Sequence, residues 1–277
     1  MNVKTIKQQS PDEREEEALD KGLAEGEIIY RSVRQDGMVT LQETTAALVW
    51  SGIAAGISMG FSMIAEGLLQ AHLPHALWTP LVTKLGYAVG FLIVILGRQE
   101  LFTEQTLSAI LPLLSRDEQE HGSFANVARV WAVILAANLV GAAAFAAFAA
   151  WGGAFSSDTA QAFSTIGHAD LSHGFYSTLV RGVYAGFLVA TMIWLLPSAG
   201  SARFLVIFLL AYLVGLGAFS HIVAGSSPAL YVVFRGERPL VDWIGGFLIP
   251  TFIGNSVGGV ALVAALAHVQ HAPEESR

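Results

Sequence analysis

The sequence predicts an all-α integral membrane protein with six transmembrane helices, two of them broken, arranged as an inverted repeat of three helices each. Three observations predict this class. Apolar residues make up 53% of the 277 residues and charged residues only 13%, about half of the ~25% usual in soluble domains. The charges are also segregated, because residues 1–45 hold 16 of the 37. Finally, six long apolar stretches are separated by polar segments, as expected of helices that cross a hydrocarbon core of about 30 Å.

The chain divides into three regions. Residues 1–45 carry six Lys/Arg and ten Asp/Glu, which predicts a mostly solvated tail. Residues 46–268 form the predicted membrane domain, and residues 269–277 form a short second tail. The first tail could also contain an interfacial helix with an apolar face, made of Ala18, Leu19, Leu23, Ile28 and Ile29.

The predicted spans are continuous apolar runs rather than short alternating segments, which favours helices over a β-barrel. Arg98-Gln99-Glu100 interrupts the second span, and Ser220-His221 interrupts the fifth. In chain order, the six spans are 46–69, 81–114, 130–151, 182–196, 204–234 and 243–268.

The distribution of Lys and Arg beside the spans predicts the orientation. With both termini on one side, that side collects ten Lys/Arg and the opposite side three. Because cytoplasmic loops carry the excess of positive charge, both termini are predicted to be cytoplasmic. We expect a multi-pass protein of a bacterial-type inner membrane.

The six spans repeat as two sets of three. In each set the middle span is the broken one, and the third spans share the pattern Asn138-Leu-Val-Gly-Ala and Asn255-Ser-Val-Gly-Gly. Three spans per unit invert the second copy in the membrane, as in channels and secondary transporters. Irregular backbone at membrane depth persists only where it lines a cavity or is satisfied by protein. The two breaks are therefore where a permeant would be handled.

Four motifs carry a resemblance to a known family. They are the Glu-Leu-Phe-Thr loop at 100–103, His221 in the second break, the Asn-Leu-Val-Gly-Ala run at 138–142, and Ile-Pro-Thr-Phe-Ile-Gly-Asn at 249–255. In this order they resemble the formate/nitrite transporter family, and most of all its YfdC-type branch. The resemblance runs from about Glu27 to Ala267.

The resemblance implies an aquaporin-like protomer in a homopentamer, with one pore per protomer, that passes small monovalent anions such as formate or nitrite. It places His221 at the pore centre, with Thr103 as its loop partner. Glu100 of the same loop is a third candidate pore residue. It also implies two hydrophobic constrictions and two structural amides. The constriction residues would be Leu101, Phe102, Tyr87, Phe91 and Val214, and the amides Asn138 and Asn255.

His221 and Thr103 each have a second interpretation. His221 is an ionisable side chain in an apolar span, where such groups are costly and usually functional, and its neutral ring could donate to a permeant. It could instead bind a backbone carbonyl that the break leaves free. Thr103 could bind the permeant or His221, or it could cap the half-helix that follows. Apolar residues such as Phe91 could simply be packing.

The remaining charges near the spans suggest local roles. We expect Arg98 and Glu100 to pair within the first loop, and Arg98 could also attract anions at a vestibule. Glu104 would suit the positive end of the following half-helix. Glu66 and Arg181 are expected to extend toward the outer membrane surface.

The sequence departs from the family pattern at three positions. Where formate channels of this family usually have a Lys before the fourth span, the aligned residue is Asp170, with His173 as a neighbour at a possible vestibule. Gly186 replaces a common Asn, and Gly225 lies in the second break. These departures weaken the expectation of formate specificity.

Composition excludes several other classes. The chain has no Cys, which removes thiol catalysis and Cys-ligated metals, and no metal site or cofactor is expected. No Lys/Arg-rich run indicates nucleic-acid binding, and no catalytic motif indicates an enzyme. We therefore expect partners to be a small permeant, lipid and copies of the chain. Two alternatives stay open: an aquaporin-like channel for a small neutral solute, and a non-transporting membrane scaffold.

Overall fold

The structure of the protein is a computed structural model that describes residues 11–114 and 123–271. Within these ranges the chain is helical and has no strand. Helix α1 (Pro11–Gln42) is followed by α2 (Thr45–His72). The first broken span follows. It consists of α3 (Thr79–Thr83), a 3₁₀ turn (Lys84–Tyr87), α4 (Ala88–Leu96), α5 (Phe102–Ser108) and a second 3₁₀ turn (Leu111–Leu114).

The second half repeats this order after a connecting helix. Helix α6 (Phe124–Trp151) closes the first half, and α7 (Ser157–Asp170) connects it to the second. The second half contains α8 (Phe175–Leu195), a 3₁₀ turn (Gly200–Ala202), the broken pair α9 (Arg203–Leu216) and α10 (Ser226–Phe234), a π-helical segment (Asp242–Leu248) and α11 (Ile249–His271).

Five helical segments are long and apolar enough to cross a membrane, and the shorter apolar helix at Gly200–Leu216 begins the remaining span. Each observed span overlaps its predicted range, and both predicted breaks are present. The predicted fold class is confirmed. We call the face of the bundle that carries α1 the inner face. The face that carries α7 is the outer face, because α7 packs against the far end of α2 at Gly67.

Two close helix pairs hold the bundle together. In the α2–α6 pair, a Cβ added to Gly56 would overlap the carbonyl of Asn138, and one added to Gly141 would overlap the carbonyl of Ile53. The α8–α11 pair shows the same reciprocal contact at Gly186 and Gly258. Small residues let membrane helices approach this closely. The first and third spans of each half therefore form one rigid pair.

Helix α1 packs against the inner face rather than remaining wholly solvated. Tyr30 and Val33 are buried beside residues of α5 and α8, and Ile29 lies against the same cluster, whereas Ile28 is exposed. Arg129 of α6 donates to the carbonyl of Leu41 at 2.9 Å. The side chains of Ala18, Leu19 and Leu23, and residues 272–277, lie outside what the structure describes.

Candidate functional site

Asn138 of α6 holds the first break. Its Oδ1 accepts the backbone N–H of Phe102 at 2.9 Å, and its Nδ2 donates to the carbonyls of Gly52 at 2.8 Å and Glu100 at 2.9 Å. The side chain is fully buried. One amide therefore satisfies three backbone groups, two of which the interrupted helix leaves without partners.

Asn255 of α11 holds the second break in the same way. Its Oδ1 accepts the N–H of Ile222 at 2.9 Å, and its Nδ2 donates to the carbonyls of Gly182 at 2.9 Å and Ser220 at 2.8 Å. We call each of these sets of three hydrogen bonds an amide clamp. The clamps align the two breaks residue by residue. The aligned pairs are Glu100 with Ser220, Leu101 with His221, Phe102 with Ile222, Thr103 with Val223, and Glu104 with Ala224.

The backbone makes the same turn before each clamp. Arg98 has a φ of 50° and Ala218 a φ of 49°, and these are the two non-glycine residues with positive φ among the described residues. Side chains with a Cβ rarely adopt this left-handed conformation. The turns persist because the clamps and the helices around them determine the local backbone.

The two breaks bring His221 and Thr103 together at the centre of the bundle. His221 Nε2 lies 2.8 Å from Thr103 Oγ1, and His221 Nδ1 accepts the backbone N–H of Ala224 at 3.2 Å. Because Nδ1 is an acceptor, the proton of the neutral ring is on Nε2, which donates to Thr103. The Thr103 hydroxyl therefore keeps its own proton available for another acceptor.

This arrangement differs from the second interpretation of each residue. His221 binds a backbone N–H rather than a carbonyl. The N-cap of α5 is Leu101, so Thr103 does not cap that half-helix. Both His221 and Thr103 are buried.

Apolar side chains lie on both sides of His221. The Phe91 ring meets the His221 ring edge-on at 5.0 Å, and the Tyr87 ring is 5.7 Å from Phe91. Val214 is fully buried and, with Tyr87, lines the cavity that leads outward. We call Tyr87, Phe91 and Val214 the outer apolar layer.

The opposite side is formed by Leu101 and Phe102, both fully buried, which we call the inner apolar layer. The Phe102 ring packs against Trp131 and Phe252, with centroids 5.5 and 5.6 Å away. The sequence analysis did not single out Trp131 or Phe252. In a chain with so many apolar residues, aromatic character alone does not distinguish these two side chains from ordinary packing residues.

A narrow cavity of about 80 Å³ connects His221 with the outer face. Asp170 and His173 line it, and so does Lys84, which the sequence analysis counted only as a loop charge. Lys84 also lines a larger outer cavity of about 570 Å³ together with Glu66. We call these two cavities the outer vestibule. Although residues 154–178 contain no Lys or Arg, the vestibule has a cation from the second span.

Lys84 is paired with Glu66. Its Nζ donates to Glu66 Oε1, and the Glu66 side chain is only 4% exposed. The expectation that Glu66 extends toward the membrane surface is therefore wrong. A buried carboxylate needs a partner to offset its desolvation. Lys84, at the start of the second span, is that partner.

Asp170 and His173 are both shifted from their ordinary titration. Burial raises the pKa of Asp170 to about 7, with nearby Glu66 raising it further and Lys84 opposing the shift. Burial, followed by the charge of Arg181, lowers the pKa of His173. Both shifts favour the uncharged form of the side chain.

Arg181 binds the end of α9. It donates to the carbonyls of Ala218 at 3.0 Å and Gly217 at 3.4 Å, where the helix leaves carbonyl groups without intrahelical partners. Instead of extending to the surface, the guanidinium stabilises the turn before the second break.

On the inner side, Glu100 and Arg98 do not pair. Glu100 accepts from Gln105 Nε2 at 2.8 Å and from Thr40 Oγ1 at 3.5 Å, while its N–H donates to Ser51. In the part of the chain that the structure describes, no carboxylate lies within ion-pair distance of Arg98. The expected pairing is wrong because the clamp turns the Glu100 backbone toward α2, and its side chain meets α1 and α5.

The glycines that depart from the family pattern have structural reasons here. A Cβ at Gly186 would overlap the Asn255 backbone, and one at Gly225 would meet the ring of Phe247 in the π-helical segment. Larger side chains at these positions would displace α11 or Phe247. Among the described residues, no group of three or more His, Asp or Glu side chains could hold a metal ion.

The fold and site define a class: a multi-pass membrane protein with two broken helices that meet at a central histidine, which is the architecture of a channel or transporter. Among solved structures, the chain is similar to an FNT family ion channel, with a TM-score of 0.76 and 20% identity over 88% of this chain and 99% of that one. A pentameric formate channel with formate bound has a TM-score of 0.70 and 21% identity over 83% of this chain and 98% of that one.

The sequence comparisons specify the family. The family model described as formate/nitrite transporter matches residues 27–269. Inner membrane protein YfdC of Escherichia coli is 38% identical over 87% of this chain and 77% of that protein. Formate channel BtFdhC of Bacillus thuringiensis is 29% identical over 86% and 92%. The chain belongs to the formate/nitrite transporter family, a family of channels and transporters rather than enzymes, and the predicted resemblance is confirmed.

Proposed function

We propose that this protein carries small monovalent anions such as formate or nitrite across the membrane together with a proton, as the neutral weak acid in the narrow part of the pore. The observation that carries the proposal is the buried His221–Thr103 pair between two apolar layers. An apolar constriction opposes an ion because the ion must lose its hydration, whereas a neutral acid loses much less.

The central pair would stabilise the permeant by a directed hydrogen-bond chain. Ala224 N–H donates to His221 Nδ1, His221 Nε2–H donates to Thr103 Oγ1, and the Thr103 hydroxyl donates to the permeant oxygen. In this way His221 links permeation to protonation. Its Nε2–H, acting through the Thr103 hydroxyl, stabilises negative charge on the permeant oxygen as that oxygen loses or gains its proton. This hydrogen-bond chain requires a neutral imidazole, because a proton on Nδ1 would point at the N–H of Ala224.

We further propose a bacterial-type inner membrane location with both termini in the cytoplasm, and assembly as a homopentamer. The distribution of Lys and Arg beside the spans in the sequence supports the orientation. The pentameric formate channel of similar fold and the inner membrane relative support the assembly and the location.

A second candidate is a channel for a small neutral solute. The outer vestibule favours it in one respect, because Glu66 and Asp170 place two carboxyl groups beside the single cation Lys84. An anion would meet net repulsion there whenever Asp170 is ionised.

A flux panel on purified protein in proteoliposomes separates these functions. Formate, nitrite, hydrosulfide, glycerol and water are compared over a range of pH, for the wild type, His221→Ala and His221→Asn. We expect formate or nitrite flux that rises with acidity and falls about tenfold or more in His221→Ala. Flux of glycerol or water alone would establish the neutral-solute channel instead. Unchanged formate flux and pH dependence in both variants would contradict the role of His221.

A further inference from the structure

A polar cavity of about 300 Å³ lies on the inner side of the first break. Its walls come from α1, from residues 95–108 and from the region around the start of α9. Leu101 and Phe102, which directly follow Glu100 in the chain, form the inner apolar layer. We call this cavity the inner chamber, and its charged lining residues are Asp36, Arg98, Glu100, Glu104 and Arg203.

Glu104 and the two guanidinium groups of the chamber form no ion pair among the described residues. Glu104 Oε1 is closed to solvent and has no hydrogen-bond partner among the described residues. Arg98 and Arg203 line the same cavity, and neither has a carboxylate within 4.0 Å in residues 11–114 and 123–271. Glu100, by contrast, is bound by Gln105 and Thr40.

We propose that the inner chamber is an anion and proton exchange site, in which Arg98 and Arg203 receive the permeant anion and Glu104 carries its proton. The proposal rests on the proposed function, since it describes the inner end of the same pore. A neutral acid that leaves the inner apolar layer transfers its O–H proton to Glu104: the O–H bond of the acid breaks and one forms on the Glu104 carboxylate. The anion remains beside the two guanidinium groups. In the reverse direction, the anion takes the proton from Glu104, and no other reactant is needed.

The charges around Glu104 suit a group that both takes up and releases a proton. Asp36 of α1 and Glu100 of the break are like charges, which favour the protonated form of a carboxyl, and the guanidinium groups of Arg98 and Arg203 line the same cavity. An oxygen closed to solvent and without a partner is costly in either form, and a proton shared with a permeant oxygen would satisfy it. Guanidinium groups match the geometry of a small oxyanion.

The repeat shows that this chemistry belongs to one end of the pore. The clamps align Glu104 with Ala224 and Glu100 with Ser220, so the second break has no carboxyl at either position. The amide clamp therefore forms with or without a carboxyl at this position.

Glu104→Gln tests the site by flux, with Glu27→Gln of the exposed part of α1 as the matched control. We expect formate flux in Glu104→Gln to fall about tenfold at about pH 7.5, where the permeant is almost wholly anionic, and to recover at about pH 5.5, where more of it arrives protonated. Glu104→Asp keeps part of the flux, and Arg203→Gln raises the KM for formate. Flux of Glu104→Gln equal to the wild type at pH 7.5, or an equal loss at both pH values, overturns the proposal.

A second measurement distinguishes failure of this site from failure of the proposed function. Purified protein in an unbuffered detergent solution is mixed with sodium formate, with sodium chloride as the control, and a pH indicator reports proton uptake. We expect uptake in the wild type and Glu27→Gln but none in Glu104→Gln. Uptake without transmembrane flux supports the chamber and overturns the transport proposal. Flux without uptake, and with an unaltered pH profile in Glu104→Gln, overturns the chamber alone.

Discussion

The first and second breaks use the same three hydrogen bonds and differ in the side chains that they present. Asn138 and Asn255 each bind one N–H and two carbonyls, with lengths that agree within 0.1 Å. The first break presents Thr103 and Glu104 at the positions where the second presents Val223 and Ala224. Conversely, His221 of the second break stands where the first has Leu101.

The difference shows which features the two halves of the repeat share and which belong to only one half. The clamps are identical because both halves face the same problem of freed backbone groups in a medium without water. The side chains differ because the two breaks complement each other: one supplies the imidazole and the other the hydroxyl that it binds. A symmetric scaffold thus supports an asymmetric pore.

The largest expected effect would come from removing a clamp. Asn138→Ala and Asn255→Ala each leave one N–H and one carbonyl of the break unsatisfied, at about 1–3 kcal/mol for each buried group. We expect each variant to lose about 2 kcal/mol of stability or more, and the two variants to lose similar amounts. The thermal unfolding midpoint in detergent, followed by Trp fluorescence, measures both.

Ser256→Ala is the control for the clamp variants, because the Ser256 hydroxyl is closed to solvent and has no partner among the described residues. Its loss should leave the midpoint nearly unchanged. If one clamp variant unfolds at the wild-type temperature while the other does not, the two breaks are not held equivalently and the comparison fails.

An intermediate effect is expected at Thr103, where the two breaks differ in polarity. Thr103→Val keeps the shape of the side chain but removes the acceptor for His221 Nε2, so formate flux should fall about tenfold, as for a lost buried hydrogen bond of about 1.4 kcal/mol. Thr103→Ser should restore most of the flux. Thr191→Val, which alters a hydroxyl bonded to its own helix, is the control. Full flux in Thr103→Val would show that the pair does not serve permeation.

The smallest expected effect lies in the outer vestibule. Because the pKa of Asp170 is raised to about 7, its side chain is neutral below that pH and negative above it. Asp170→Asn removes the charge at every pH, so its anion flux should exceed that of the wild type about threefold at about pH 8 and match it at about pH 6.

Lys84→Met is the opposite control for the vestibule, since it removes the cation and should lower flux at both pH values. A constant ratio of Asp170→Asn to wild-type flux across this range would show that Asp170 does not titrate within the entry path.

Sequence patterns predicted the backbone of this protein better than its charged contacts. The spans and both breaks were foreseeable, because apolar length and the repeated Asn motif report directly on local structure. Which charges meet was not. Arg98 and Glu100 are close in the chain but do not pair, whereas Lys84 and Glu66 do pair.

The reason is that helix register, rather than chain distance, selects these contacts. The loop after α2 brings the start of the second span back along α2, so that Lys84 faces Glu66. The same packing brings Arg181 to the end of α9 and Arg203 to the inner chamber. A single sequence shows the charges, but their partners follow from how the helices pack.

The two glycine-contact helix pairs have a mechanical consequence. In α2–α6 and α8–α11 the backbones touch at Gly56, Gly141, Gly186 and Gly258, so no side chain separates the helices at these positions. Prying either pair apart would break its amide clamp at the same time. The four spans of these pairs therefore form a fixed frame, and any opening of the proposed path would involve the apolar side chains, the two breaks or the peripheral helices α1 and α7.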